Sequence, residues 1–236
     1  MSTGAPDDRS LHRALLVATL AVGAQTTLHL VGLFALGGDF EPFDVGSDHG
    51  LAAAAMVVAG GSAALAALAL SLRHRARIEA LLLAGLAVAL AFFAVDRVTG
   101  WHDRLAYGLA SVVDLPRVGA WPTPLVYAPL LGPAALILWS GVAGRSSQRT
   151  ARAGIILLGL ALALRPIALV SRLVFGHLRH GTAYEIAVAT KQGLELGGWV
   201  LIAGALLAAV AANERARDTS LFPFGDPASV PLRQPD

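Results

Sequence analysis

The chain has 236 residues, of which 56% are apolar and only 14% are charged. Soluble domains usually carry about a quarter charged residues, so this composition predicts a protein that is embedded in a membrane. The absence of cysteine excludes disulfide bonds, thiolate metal ligands and a cysteine nucleophile. The net charge is only +2, and the basic residues are scattered over short loops, so the sequence does not indicate nucleic-acid binding.

Six segments are long and apolar enough to cross a bilayer, which takes about 20 mainly apolar residues. In chain order they are 14–37, 51–72, 80–98, 125–142, 153–176 and 185–210. Because the connections are short, we predict an all-α polytopic membrane helical bundle with six transmembrane helices. We also predict a cytoplasmic N-terminal tail over 1–13, the membrane domain over 14–212 and a disordered cytoplasmic tail over 213–236, which contains four prolines.

The orientation of the bundle follows from the arginines in its loops, since cytoplasmic loops are enriched in Lys and Arg. Arginines precede the first span and follow the second, fourth and sixth, whereas the loop after the first span holds four acids and no basic residue. This pattern predicts that both termini are cytoplasmic and that the protein lies in a bacterial cytoplasmic membrane. A cleaved signal peptide over 9–24 is the alternative, but its removal would leave five spans and break the charge alternation.

Ionisable residues within the spans are the main functional candidates, because a charge at the bilayer centre costs about 2.5–3.5 kcal/mol and therefore faces the bundle and pairs. Arg165 and Glu195 have similar predicted depths on antiparallel neighbours, so we predict an ion pair between them, with Lys191 four residues before Glu195. The alternative is that this pair only fixes how the last two helices pack. His29 lies in the outer half of the first span, with Gln25 one turn away on the same face.

The densest polar group lies at the outer end of the third span and contains Asp96, His102 and Asp103. Carboxylates and an imidazole at the mouth of a bundle can bind a divalent cation such as zinc or manganese, so these residues form a candidate metal site. Asp96 and Asp103 share a face of a continuous helix, whereas His102 points away unless the helix unwinds near Gly100. The alternative is a hydrogen-bonded cap over the helix ends. The further candidates for this polar site are His29, His49 and Glu195.

Three stretches carry a resemblance to a known family. They are residues 43–48, the pairs 96–97 and 102–103, and residues 191–198. They resemble the F-D-x-x-x-E/D, S-x-D-E-x4-H-E and E-E-G-L-E-x-x-G motifs of a family of uncharacterised bacterial multi-pass membrane proteins. The positions that match the family are Asp96, His102 and Glu195, while Asp103 replaces a glutamate and Arg97, Lys191 and Gln192 replace acids.

The resemblance implies no established activity. If the acids of the family bind a metal, the replacements at Arg97, Lys191 and Gln192 would weaken that binding or restrict the site to the remaining residues. We therefore hypothesise an integral membrane protein with an outward-facing polar site, a candidate divalent-metal site, that acts on or senses a lipid or small molecule. The alternatives are a transport component for protons, ions or small solutes, and a structural or accessory membrane subunit with a protein partner.

Overall fold

The computed structural model describes residues 5–36, 41–43, 50–101, 104–105, 108, 123–144, 147–174 and 182–221. Over these ranges the chain forms six α-helices and a short 3-10 turn, and it contains no β-strand. The helices are α1 (Ala5–Ala35), α2 (Leu51–Arg73), α3 (Arg77–Thr99), α4 (Thr123–Ser140), α5 (Gln148–Val174) and α6 (Thr182–Leu221). The all-α prediction is therefore confirmed.

Four of the helices are long and apolar enough to span a membrane. The spanning stretches are Leu11–Ala35 in α1, Leu51–Arg73, Arg77–Thr99 and Ile186–Ala216 in α6, and α4 adds a shorter apolar stretch, Tyr127–Ser140. Large apolar side chains such as Val58, Leu65 and Leu72 are mostly exposed on the outside of the bundle. Exposed apolar surface of this extent suits contact with lipid rather than with water.

α6 is the central helix, because it packs against α1, α2 and α5, while α2 packs along α3. The core consists mainly of alanine and leucine, and Ala67, Leu86 and Leu206 are at most 1% exposed. Short side chains let the helix backbones approach closely: a methyl group added to Gly60 of α2 would lie 3.3 Å from Cβ of Ala94 on α3. Close van der Waals packing of this kind is the usual basis of helix association in membranes.

The tightest helix crossing joins α5 to α6 through a pair of glycines. A methyl group added to Gly198 would lie 2.9 Å from the carbonyl oxygen of Gly154 and 2.7 Å from Cγ of Leu158. A methyl group added to Gly154 would in turn lie 2.8 Å from the carbonyl oxygen of Gly198. The two backbones therefore touch at this point, and no larger residue fits either position without a shift of the helices.

α3 ends at Thr99, where Gly100 adopts a left-handed conformation with φ 61° and ψ 29°. The Gly100 N–H donates a hydrogen bond of 2.8 Å to the carbonyl oxygen of Asp96, which closes the last turn. Glycine suits this position because it carries no side chain to clash in the left-handed region. The α3 helix therefore ends before 102–103, and these two residues lie outside the described part of the chain.

Both terminal helices extend into the segments that the sequence analysis assigns to tails. α1 begins at Ala5, and α6 continues to Leu221, while the predicted C-terminal tail beyond Leu221 lies outside the described residues. Glu214, Arg215 and Ala216, in this last part of α6, have high helix propensity. Glu214 also pairs with Arg73 at the end of α2, with 2.8 Å between Oε1 and Nη2.

The glycine crossing yields a stability prediction. Gly198→Ala should lower the free energy of unfolding by about 1–3 kcal/mol, because overpacking a tight contact forces side chains or helices to move. Gly85→Ala is the matched control, since a methyl group at Gly85 meets no atom within 4 Å. Thermal unfolding in detergent, followed by the loss of the monodisperse gel-filtration peak, measures both variants. Equal melting temperatures for the two variants would contradict the close contact.

Candidate functional site

Asp96 is the most deeply buried acid in the part of the chain that the structure describes, with 1% of its surface exposed. It lies one turn before the end of α3, and its carboxylate accepts a hydrogen bond from the hydroxyl group of Tyr127 on α4. The ring of Phe93, one turn earlier on α3, packs against Tyr127 with 5.3 Å between ring centroids and against Trp199 of α6 at 5.9 Å. These contacts join α3, α4 and α6 around the buried carboxylate.

A second polar group connects α3 to α6 beside Asp96. The side-chain amide of Gln192, which is 4% exposed, lies between Arg97 and Glu195. When the amide is oriented to suit both neighbours, its oxygen accepts from Nη2 of Arg97 at 3.3 Å and its nitrogen donates to Oε2 of Glu195 at 3.2 Å. Nζ of Lys191 lies 3.6 Å from the same carboxylate oxygen. Arg97, Gln192, Glu195 and Lys191 are called the charged group below.

The charged group borders a partly open cavity of about 230 Å³ that is lined by α2, α3, α4, α5 and α6. Arg97, Lys191 and Glu195 line it near one end of the bundle, and the Tyr127 ring lies beside them. The remaining walls are almost entirely apolar. The main apolar lining residues are Leu90, Leu131, Leu138, Ile155, Leu158 and Trp199.

The cavity is elongated along the bundle axis. Its lining on α6 extends from Lys191 to Ile202, and on α4 from Tyr127 to Leu138. Eleven residues of α-helix cover about 16 Å at 1.5 Å per residue. We call this partly open cavity the slot; it has a charged end and an apolar body.

The predicted site residues divide into three sets. Asp96, Lys191 and Glu195 lie near the same end of the bundle, on α3 and α6. His29 lies on α1 and is 3% exposed, but it lines a separate groove of about 920 Å³ between α1 and α6. The residues that lie outside the described part of the chain are His49, His102 and Asp103, together with the side chain of Arg165.

The predicted ion pair of Arg165 with Glu195 therefore stays a prediction. Glu195 contacts Lys191 and Gln192 within the described part. In that part of the chain no three His, Asp or Glu side chains come close enough together to hold a metal ion. The metal prediction also stays open, because two of its three main ligands are among the residues outside the described ranges.

Two contacts of the site are not indicated by the sequence. Tyr127 is the hydrogen-bond donor to Asp96, although it is one aromatic residue in a continuous apolar segment. Arg97 contacts Gln192 of α6 across the bundle, a partner that the sequence does not indicate. The sequence does indicate one contact of the charged group: Gln192 and Glu195 are three residues apart and therefore lie on the same face of a helix.

These observations define an all-α protein with several helices able to span a membrane and with a charged group beside an internal slot. The chain belongs to the family described as Domain of unknown function (DUF8692), whose model matches residues 12–210. The match extends from α1 to α6 and agrees with the predicted relationship to an uncharacterised family. No curated protein and no solved structure matches the chain.

The contact of Tyr127 with Asp96 can be measured with a double-mutant cycle. Tyr127→Phe should cost about 1–3 kcal/mol of stability, because it leaves a buried carboxylate without this donor. Combining it with Asp96→Leu should cost less than the sum of the two single changes, since both polar partners are then replaced by apolar groups. Chemical or thermal unfolding of the four proteins gives the coupling energy, and strictly additive costs would refute the contact.

Proposed function

We propose that the protein is an integral membrane protein that binds an amphipathic lipid or small molecule in the slot. The polar part of the ligand lies against Arg97, Lys191 and Glu195, and its apolar part extends toward Leu138. One observation carries this proposal: a cavity of about 230 Å³ has charged side chains at one end and apolar walls elsewhere. Ligand sites are typically apolar clefts with a few polar groups that fix orientation.

The size of the cavity argues against a purely structural role for the charged group. A group that only holds helices in register needs no such space beside it, whereas Arg97, Lys191 and Glu195 line a partly open cavity of about 230 Å³.

The apolar body of the slot favours binding or sensing over ion passage. Apart from Arg97, Lys191 and Glu195, the described lining of the slot contains no charged side chain. An ion moving toward Leu138 and Ile155 would lose its polar partners within a few ångströms. An apolar chain in the same space would gain contact with aliphatic and aromatic walls.

We further propose that six helices cross a bacterial cytoplasmic membrane with both termini inside. The proposal adds α4 and α5 to the four stretches that are long and apolar enough, and it rests on the arginine pattern of the loops. In this orientation the charged group lies in the outer half of the bilayer. Residues 14–212 then form the membrane domain.

A divalent metal at this end of the bundle also remains a proposal. Asp96, His102 and Asp103 are its main candidate ligands, with His29, His49 and Glu195 as further candidates. The oxygen and imidazole donors of these residues suit zinc or manganese. The metal content of the purified protein, compared with that of His102→Ala, tests this part of the proposal separately from the slot.

Ligand binding in the slot can be tested by tryptophan fluorescence quenching, with a variant whose side chain fills the slot. Trp199 lines the slot, so a bound amphiphile with a brominated chain should quench its fluorescence. Brominated decanoate, decanol and decylammonium are added in turn to the protein in nanodiscs. At least one of them should quench the tryptophan fluorescence of the wild-type protein more strongly than that of Gly159→Phe. Gly159 lines the slot and has open space at its Cβ, so the phenyl ring would occupy the slot.

Gly85→Phe is the matched control for this experiment. Gly85 also has open space at its Cβ, but it does not line the slot. The amphiphiles should therefore quench the tryptophan fluorescence of Gly85→Phe as strongly as that of the wild type. The proposal fails if no amphiphile distinguishes the wild type from Gly159→Phe, or if both phenylalanine variants lose quenching equally.

The orientation is open to cysteine labelling, since the natural chain contains no cysteine. Pro42→Cys, in the turn after α1, should react with a membrane-impermeant maleimide added to intact cells. Ala76→Cys, between α2 and α3, should react only after the cells are opened, because its loop is predicted to be cytoplasmic. Both residues are exposed, so accessibility within the protein does not limit either reaction. The reverse pattern would overturn the proposed orientation.

A further inference from the structure

We infer that the loop between α2 and α3 binds the head of an acidic phospholipid through Arg75 and Arg77. None of the residues from 72 to 79 lines the slot, so this site is separate from the one proposed above. It depends only on the contact of α2 and α3 with lipid, because both helices are long and apolar enough to span a membrane. Three features carry it: the depth of the loop, the pairing of its other basic residues, and the exposure of the two arginines.

Large apolar side chains flank the loop on both sides. Leu72 lies in the last turn of α2 and is 79% exposed, and Ile78 lies in the first turn of α3 and is 75% exposed. On helices that contact lipid, exposed apolar side chains of this size lie against the hydrocarbon chains. The part of the chain between them, residues 73–77, therefore lies close to the level of the lipid heads.

Two of the four basic residues in this stretch already have acidic partners within the protein. Nη2 of Arg73 lies 2.8 Å from Oε1 of Glu214, at the end of α6. Nδ1 of His74 lies 2.8 Å from Oε2 of Glu79, in the first turn of α3. These two carboxylates are therefore engaged with the neighbours of the two remaining arginines.

The two remaining arginines, Arg75 and Arg77, are both exposed. Neither has an ion pair or a side-chain hydrogen bond with any residue that the structure describes. They are two residues apart, so their Cα atoms are at most about 7 Å from each other. Arginine side chains are long and extend their charged ends toward the lipid heads, while their stems lie on apolar surface. Both guanidinium groups can therefore reach one lipid head.

The chemistry of the loop favours an acidic phospholipid over other anions. A guanidinium group presents its N–H donors in a planar fork that matches two oxygens of a phosphate, and an anionic membrane surface attracts arginines that lie close to it. A zwitterionic head also contains a phosphate, but its ammonium group offsets the negative charge. The chains of a lipid would contact Leu72 and Ile78, whereas an acidic segment of a soluble protein would leave these side chains without apolar contact.

The test compares phospholipids that have the same chains and different heads. Dioleoyl-phosphatidylglycerol and dioleoyl-phosphatidylcholine are titrated into the full-length protein in detergent, and native mass spectrometry measures the affinity of the first bound lipid. Phosphatidylglycerol should bind at least about fivefold more tightly, the effect of one arginine close to an anionic surface. Glycerol phosphate at the same concentration should not displace it, because this soluble head has no chains to contact Leu72 and Ile78.

Variants connect the preference to the two arginines. Arg75→Gln and Arg77→Gln should each lower the preference for phosphatidylglycerol, and the double variant should abolish it while leaving phosphatidylcholine binding unchanged. Lysine at both positions should retain part of the preference, since lysine keeps the charge but lacks the planar fork. Arg104→Gln is the matched control for each single change, because Arg104 is also exposed but follows the opposite end of α3.

Four results would overturn this assignment. The wild type would bind the two phospholipids equally, or glycerol phosphate would displace phosphatidylglycerol. The preference would persist in the double glutamine variant, or Arg104→Gln would lower it as much as Arg75→Gln and Arg77→Gln do, as expected for an effect of net charge alone. Gly159→Phe, which fills the slot, should keep the preference; if it lost the preference instead, the acidic lipid would lie in the slot and not at the loop.

Discussion

The structure depends on how an apolar helix bundle buries charged side chains near one of its ends. A charge that faces hydrocarbon alone costs several kcal/mol, so Arg97, Lys191 and Glu195 are stable there only as a connected group. Gln192 connects Arg97 to Glu195, because its amide oxygen accepts from Arg97 and its amide nitrogen donates to Glu195. This requirement fixes the rotation of α3 and α6 about their axes, because their polar residues must face each other.

Small residues determine where the helices approach and where they leave space. The Gly154 and Gly198 backbones touch and hold α5 against α6, and Gly60 lets α2 approach α3 at Ala94. α4 packs less extensively, against α3 and α5, and its contact with Asp96 is made by the long side chain of Tyr127. The slot lies between this more distant helix and the tightly crossed ones, and the charged group closes its polar end.

Local signals in the sequence predicted the helical class and several site residues, but not the contacts between helices. Asp96, Lys191 and Glu195 stand out because ionisable residues are rare within apolar segments, and α2 and α3 match their predicted spans to within about three residues. Tyr127 and Arg97 could not be assigned partners, since helix rotation and tilt arise from packing between distant segments. The left-handed Gly100 depends on local capping, which apolar composition does not reveal.

Native mass spectrometry of the wild-type protein, purified gently from its own membrane, shows whether the slot holds a natural ligand. We expect one bound amphiphile per chain, and no such adduct on Gly159→Phe prepared in the same way. Wild-type protein that carries no small molecule, under conditions in which added decanoate stays bound to it, would show that the slot has no natural amphiphilic ligand and would contradict the account.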